Sequence, residues 1–225
     1  MTDYLAVFDL DGTLVDTAPD LIETLNLQLA REGLDPVPFA EARNLIGRGM
    51  KPLIERALTL RGSAFDADEL ARLYADYVAD YAAHIADRSR PFPGLEAALD
   101  ELATAGWRFA VCTNKLEWLS VRLLDALGLK ERFAVICGQD TFGVQKPNPD
   151  ILRRTIAAAG ARPENAVMVG DSETDIATAR AARIPVIAVD FGYSPQPIGE
   201  LGADYLISHF DALPACAAAV VRRPR

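Results

Sequence analysis

Apolar positions along this chain follow two rhythms. Short unbroken apolar runs at residues 5–8, 109–112, 134–137, 166–169 and 185–189, with a shorter one at 205–207, are bounded by polar or glycine residues. Runs of that length read as strands buried on both faces. Between them, from Pro93 onward, amphipathic helical segments recur around 95–105, 117–127, 150–159 and 174–182. Strands alternating with helices predict a mostly parallel sheet covered on both sides, an α/β fold with right-handed crossovers.

From Val15 to Arg90 the rhythm is helical throughout. Leu21, Ile22, Leu25 and Leu29 share one face of a segment over about 18–31. Leu53, Ile54, Ala57 and Leu58 do the same after Pro52, and Leu70, Leu73, Tyr74, Tyr77 and Tyr81 stripe a third helix. No strand pattern interrupts them. The prediction is an α/β core made of residues 1–15 and 91–225, with an α-helical unit, 16–90, inserted after the first strand. Core packing is the favoured role of the tyrosine stripe.

Composition narrows the setting. The 225 residues are 50% hydrophobic, enough for a substantial core, and no apolar run approaches a membrane span. The terminus enters a strand almost at once, so no signal peptide is expected. Cys112, Cys137 and Cys216 are too scattered for a disulfide framework or a metal site, which points to a reducing cytoplasm. A formal net charge of −9 argues against nucleic-acid and anionic-membrane partners. It leaves room for an anionic small-molecule substrate, provided a cation and local basic groups hold it. The closing basic tail, Arg222-Arg223-Pro224-Arg225, is expected to fray.

The chemistry clusters where strands end. Val7-Phe8-Asp9-Leu10-Asp11-Gly12-Thr13 sets two carboxylates two residues apart, on one side of the chain. Asp-Gly is ordinary turn chemistry, but one Asp would satisfy a turn. Two like charges so close call for a hard cation, a shared proton, or both. Thr113 and Asn114 follow the second long strand, Lys146 precedes a helix, and Asp171 and Asp175 follow a further strand. In open α/β sheets ligands bind outside the carboxyl ends of the strands, so four separate segments can converge on one pocket.

These four segments, in order, resemble the four motifs of the haloacid dehalogenase superfamily, and the chain resembles its phosphoglycolate phosphatases along nearly its whole length. Arg90-Pro91-Phe92-Pro93-Gly94, Cys112-Thr113-Asn114-Lys115, Phe191-Gly192-Tyr193 and Leu201-Gly202-Ala203-Asp204 are similar to that family's phrases. Asn148 stands where the family usually has histidine, and Arg183 where it usually has glycine. The resemblance implies a Rossmann-like core with a helical cap, and a magnesium-dependent phosphomonoester hydrolase, active as monomer or homodimer. It implies Asp9 as nucleophile forming an aspartyl-phosphate, and Asp11 as acid and then base. Asp9, the Asp11 backbone carbonyl and Asp171 would hold Mg2+, which favours oxygen ligands. Thr113, by its hydroxyl and its backbone N–H, would bind a phosphoryl oxygen beside Asn114, with Lys146 supplying fixed positive charge. Asp175 is expected to orient Lys146 or metal-bound water. Asp11 must be neutral at the start, and its neighbour Asp9 is expected to favour that form.

The loop Asn44 to Lys51, with Gly47 and Gly49, resembles the family's specificity loop, and Arg48 would hold the carboxylate of 2-phosphoglycolate. Glycolate and phosphate would be the products, in carbohydrate metabolism. Asp11 speaks against a true dehalogenase and against a phosphonate hydrolase using Lys51. A sugar phosphomutase, or a phosphatase for another small monoester, shares every core motif. A catalytically silent binding module on this fold is the remote alternative.

Overall fold

The computed structural model describes residues 4–222, with side chains through residue 220. The basic tail beyond Arg222 and the first three residues lie outside the described residues. The core sheet holds β1 (Tyr4–Phe8), β4 (Trp107–Cys112), β5 (Val135–Cys137), β6 (Ala166–Gly170), β7 (Val186–Val189) and β8 (Tyr205–Ile207). Its order is β5-β4-β1-β6-β7-β8, and every pair is parallel. The chain steps from β1 outward to β4 and β5, then returns across β1 to β6 and runs out the other way. The order of the strands thus reverses between β1 and β6, the point where such sheets open a crevice at their carboxyl ends.

Each face of the sheet is covered, which is why the strands read as unbroken apolar runs rather than alternating ones. Ala6 and Phe8 pack on one side, with α5 (Leu95–Thr104), α6 (Glu117–Ala126) and α9 (Leu213–Arg222). Leu5 and Val7 pack on the other, against Ile151, Leu152 and Ile156 of α7 (Pro149–Ala158) and Ile176 and Ala179 of α8 (Glu173–Ala182). Cys112 and Cys137 are small buried members of these layers.

Four helices, α1 (Ala18–Arg31), α2 (Phe39–Arg43), α3 (Met50–Leu60) and α4 (Ala67–Ala83), lie between β1 and Arg90 in sequence. Their apolar stripes bury together and merge with the first layer of the core. In α4, Tyr77 and Tyr81 are fully buried and stacked, with the Tyr77 hydroxyl donating to the Leu21 carbonyl at 2.9 Å. Helix ends obey local rules. Asp66 caps α4 by accepting the Glu69 N–H, and Asn148 caps α7 by accepting the Asp150 N–H. Arg183 ends α8 with φ 62, a left-handed turn for which glycine carries no side-chain penalty, accounting for the family's usual residue there.

One feature departs from the sequence reading. β2 (Val15–Asp16) and β3 (Arg90–Pro91) pair antiparallel where the chain leaves and re-enters the core. Two residues per strand are too few to produce a periodic signal. This ribbon is tied to α1 through Asp20. Its buried carboxylate accepts the N–H groups of Arg88 (3.0 and 3.1 Å) and Ser89 (2.8 Å) and the Ser89 hydroxyl (2.6 Å).

Asp20→Ala leaves those donors without their acceptor, with Ser89 wholly buried. Charge-assisted bonds of this kind contribute about 1.5–3 kcal/mol each, and the losses overlap, so stability should fall by about 2–4 kcal/mol. The shift in urea midpoint at unchanged m-value measures it; a shift near zero would show that the ribbon stands without Asp20.

Candidate active site

The sheet's parallel ladders bring the ends of β1, β4 and β6 side by side. Phe8 pairs with Val111 on one side and Val169 on the other, and the Asp9 N–H extends the ladder to the Val169 carbonyl at 2.9 Å. Asp9, Thr113 and Asp171 each begin just beyond a strand end, so a rigid sheet fixes all three backbones at one rim. Each is almost wholly buried.

The core of this rim is a knot of charges. Lys146 Nζ lies 2.8 Å from Asp9 Oδ1 and 2.6 Å from Asp175 Oδ1, with its side chain only 1% exposed. Burial would push the Lys146 ammonium down, but Asp175 and Asp9 outweigh it and hold it above the ordinary lysine range. Asp9 Oδ1 also accepts the Leu10 N–H at 2.7 Å. Burial, opposed by Lys146 and reinforced by Asp175 and Asp11, pushes Asp9 up to about 6. Burial, then the charges of Asp175 and Asp9, push Asp171 up to about 8 against its donors Tyr193 N–H and Thr13 hydroxyl.

Asp9, Asp171 and Asp175 bring carboxylate oxygens within 4.8 Å of one another. Their unfavourable mutual charge and all-oxygen donor set fit a hard divalent cation. Asp175 is the least free of the three. Its Oδ1 takes Lys146, and its Oδ2 takes the Ser172 N–H (3.1 Å) and hydroxyl (2.6 Å) in a capping box at the start of α8. Its oxygens are thus committed to orienting Lys146 and closing the helix end. Asp171 is held on both oxygens, by the Thr13 hydroxyl at 3.0 Å and the Tyr193 N–H at 2.6 Å.

Glycines make that fit possible. Gly12 has φ +88, and a Cβ there would meet Asp171 Oδ2 at 2.5 Å; a Cβ on Gly192 would meet Asp171 Cβ at 2.2 Å. Backbone therefore approaches the Asp171 carboxylate from two sides where no side chain fits.

Asp11 lies beside Asp9 on the same cavity, as alternation along the chain requires. Its charged partner is a residue to which the sequence reading gave no role. Lys115 Nζ sits 2.9 Å from Asp11 Oδ1 and 3.1 Å from Oδ2, and the Thr17 hydroxyl donates to Oδ1 at 2.7 Å. Besides the neighbouring anion Asp9, on which the expectation for Asp11 rested, an ammonium grips the same carboxylate.

Two other expectations change in detail. The Thr113 N–H donates to the Cys137 carbonyl at 3.0 Å, so it is spent in the sheet. The hydroxyl remains to donate, its oxygen accepting the Lys115 N–H at 3.2 Å. Asn114 turns its amide to protein backbone: it accepts the Lys146 N–H (2.9 Å) and donates to the carbonyls of Lys146 (3.2 Å) and Gly47 (3.5 Å). It fixes the Lys146 segment and meets the loop of the helical unit. Arg48 is exposed and lines clefts outside the inner cavity, alongside Asn114 and Lys146 on one side and Asp171 and Tyr193 on the other.

Sequence reasoning also passed over Tyr193 and Arg43. The Tyr193 hydroxyl donates to Asp16 at 2.6 Å and accepts the Ala18 N–H at 2.9 Å, joining the ribbon and α1 to the Asp171 loop. Arg43, from α2, donates to the carbonyls of Phe191 (3.0 Å) and Gly192 (2.5 Å) and lies over the Tyr193 ring. The signal for Tyr193 was the phrase Phe191-Gly192-Tyr193; Arg43 carried none.

The inner cavity opens between this rim and the helical unit. Asp9, Asp11, Thr113 and Lys115 form its floor, and Leu21, Ile46, Met50 and Leu53 its walls, around a volume of about 20 Å³. It is a small chamber with carboxylates and a hydroxyl at one end and hydrocarbon at the other.

Comparison with known proteins gives this arrangement its context. Residues 6–189 match the family model described as haloacid dehalogenase-like hydrolase. The chain is 47% identical over 213 residues to a phosphoglycolate phosphatase of Mesorhizobium japonicum, covering 95% of this chain and 94% of that one. It is 45% identical over 210 residues to a phosphoglycolate phosphatase of Caulobacter vibrioides, covering 93% and 89%. A crystal structure of a predicted phosphoglycolate phosphatase from Haemophilus somnus superposes with TM-score 0.90 at 27% identity, covering 96% of this chain and 98% of that one. The chain belongs to the haloacid dehalogenase-like hydrolases, within their phosphoglycolate phosphatase family. It is an enzyme, a phosphatase. Among the described residues no helix is long and apolar enough to cross a membrane.

Removing Lys146 tests the charge knot itself. Lys146→Met keeps the stem but leaves Asp9 and Asp175 facing each other without a buried counter-charge. Breaking such a pair costs about 3–5 kcal/mol, so the ion-free protein should unfold at markedly lower urea. A variant as stable as the wild type would mean the carboxylates are screened by some other route.

Proposed function

We propose that this chain hydrolyses 2-phosphoglycolate to glycolate and phosphate through an aspartyl-phosphate on Asp9, in the cytoplasm and with Mg2+ as cofactor. The observation that carries the reading is the pairing of Asp9 and Asp11 on one small chamber. Lys146 grips the first and the Thr113 hydroxyl lies alongside. A phosphoryl group seated there faces a carboxylate nucleophile, an acid and a hydroxyl donor, and an apolar chamber remains for a short leaving group.

Asp9, Asp171 and the Asp11 backbone carbonyl are the groups that would hold the cation. When bound, Mg2+ draws charge from the phosphoryl oxygens and lowers the repulsion between substrate and carboxylate. The protein's own residues do the rest. An Asp9 carboxylate oxygen attacks phosphorus, and the bond from phosphorus to the glycolate oxygen breaks. Asp11 gives its proton to that oxygen, so glycolate leaves as an alcohol. Asp11, now a carboxylate, takes a proton from the water that attacks the aspartyl-phosphate, and phosphate departs with Asp9 restored. Thr113 and Lys146 hold phosphoryl oxygens in both steps. Asp175 keeps Lys146 aimed, and Asn114 fixes the backbone that carries it. Arg48 sits at the outer mouth, where a cation draws anionic substrate inward. Two relatives 47% and 45% identical to the chain, both named phosphoglycolate phosphatases, support this reading over a phosphomutase.

Two substitutions test the roles of the paired carboxylates. Asp9→Asn should abolish turnover while leaving the urea midpoint near that of the wild type, and ³²P from labelled substrate should no longer become acid-stably attached to the protein. Turnover above a trace would remove Asp9 from the attacking role.

Asp11→Asn should slow single-turnover phosphorylation at least a hundredfold for alkyl esters, within the usual range of about 10²–10⁴ for general acid catalysis. Aryl esters with good leaving groups need little protonation and should lose far less. Equal losses for both classes would show that Asp11 is not the acid.

A further inference from the structure

We infer that Lys115 selects the leaving group, its buried ammonium taking the carboxylate of a short 2-phosphoryloxy acid; this rests on the phosphoglycolate phosphatase reading above. Among the lining residues of the inner cavity Lys115 is the one cation, and its side chain is 1% exposed. The other basic residues of the neighbouring loop, Arg48 and Lys51, are exposed and line no part of this chamber.

Its position is built rather than incidental. The Lys115 N–H donates to Thr113 Oγ1, its carbonyl accepts the Gln139 N–H at 3.1 Å, and a Cβ on Gly138 would strike that carbonyl at 2.5 Å. The backbone of Lys115 is therefore locked to the residue that faces the phosphoryl group. At the far end, Nζ rests 4.5 Å from the centre of the Tyr81 ring, supplied by α4. A cation held between a ring face and a carboxylate is oriented without exposure to water.

Asp11 is what this ammonium touches now, through both carboxylate oxygens. In the reaction, one Asp11 oxygen must turn to the departing oxygen of the substrate. Lys115 then gives up one of its two contacts with Asp11, which as the acid brings it no negative charge, inside a chamber otherwise walled by Leu21, Ile46, Met50 and Leu53. In 2-phosphoglycolate the carboxylate carbon is separated from the departing oxygen by a single CH2. A group beside Asp11 therefore meets that carboxylate directly, and the substrate's anion replaces the contact that Asp11 gives up. A neutral leaving group offers no replacement and strands a buried ammonium, so discrimination comes from a penalty as well as an attraction.

The test compares 2-phosphoglycolate with 2-hydroxyethyl phosphate, its neutral near-isostere, in the wild type, Lys115→Met and Arg48→Ala. The wild type should prefer the carboxylate, and Lys115→Met should cut that kcat/KM ratio by roughly ten- to a hundredfold, the effect of losing one charge-assisted hydrogen bond. Arg48→Ala should leave the ratio within about twofold of the wild type, because a rim charge tunes encounter and not discrimination. Because Lys115→Met also removes a partner of Asp11, inhibition is read alongside turnover. 3-Phosphonopropionate should bind about tenfold or more weaker to Lys115→Met, while propylphosphonate binds nearly unchanged. A preserved ratio in Lys115→Met, equal weakening of both phosphonates, or a ratio that collapses in Arg48→Ala overturns the inference. A wild type with no preference for 2-phosphoglycolate over the neutral ester overturns the substrate reading, and this inference with it.

Discussion

Everything at the rim of the sheet depends on one electrostatic constraint: three carboxylates are buried together, with Lys146 as the ammonium between two of them. Like charges at such separations are held only by fixed counter-charge, by protons or by a cation. The protein supplies the first through Lys146, whose pairing with Asp9 and Asp175 keeps it charged despite burial. Burial first, and the neighbouring carboxylates after it, still push Asp9 and Asp171 upward. The all-oxygen donor set of such a site fits a hard divalent cation. A parallel sheet suits the task because its strand ends are rigid and lie side by side, so that the charges cannot relax away from one another.

The same constraint reaches the helical unit. Asp171 is gripped by the Tyr193 N–H, while the Tyr193 hydroxyl holds Asp16 of the ribbon and the first N–H of α1. Arg43 closes a second tie by holding the carbonyls of Phe191 and Gly192. Asp20 anchors the other arm of the ribbon. The helices therefore meet the charged rim through named polar contacts at the hinge and through apolar packing elsewhere. Any movement of the helical unit that breaks the Arg43 contacts removes one of the ties on the loop that holds Asp171.

The α/β layers and the parallel sheet were legible in the sequence because strands buried on both faces leave unbroken apolar runs. Asp9, Asp11 and Asp171 stood out because each follows such a run in a stretch that needs no charge for folding, and Lys146 because it precedes a helix. What could not be read follows from physics that sequence spacing does not encode. The ribbon of β2 and β3 has two residues per strand, below the length at which a period exists. That Thr113 spends its N–H on Cys137, and that Asn114 turns to the backbone of Lys146, are matters of pairing between distant segments. Asp11 and Lys115 are 104 residues apart, so nothing local announced their contact. That Arg48, the cation between two glycines, lines the outer clefts and not the inner cavity is likewise a matter of placement that spacing does not encode.

Where a cation sits bears on how the proposed selectivity for an anionic leaving group is built. A cation carried by the inserted helices keeps its distance to Asp9 only while the helices hold their place. Lys115 is carried by the loop that follows β4, two residues beyond Thr113, and is locked by hydrogen bonds to the same sheet edge as Asp9. Its separation from the reacting atoms is therefore set by the core. The inserted unit contributes what does not need such precision: hydrocarbon walls, the Tyr81 ring face, and exclusion of water. Charge recognition on the rigid core and apolar enclosure on the helices place each demand on the part of the fold able to meet it, since electrostatic discrimination falls steeply with misplacement while hydrophobic contact tolerates it.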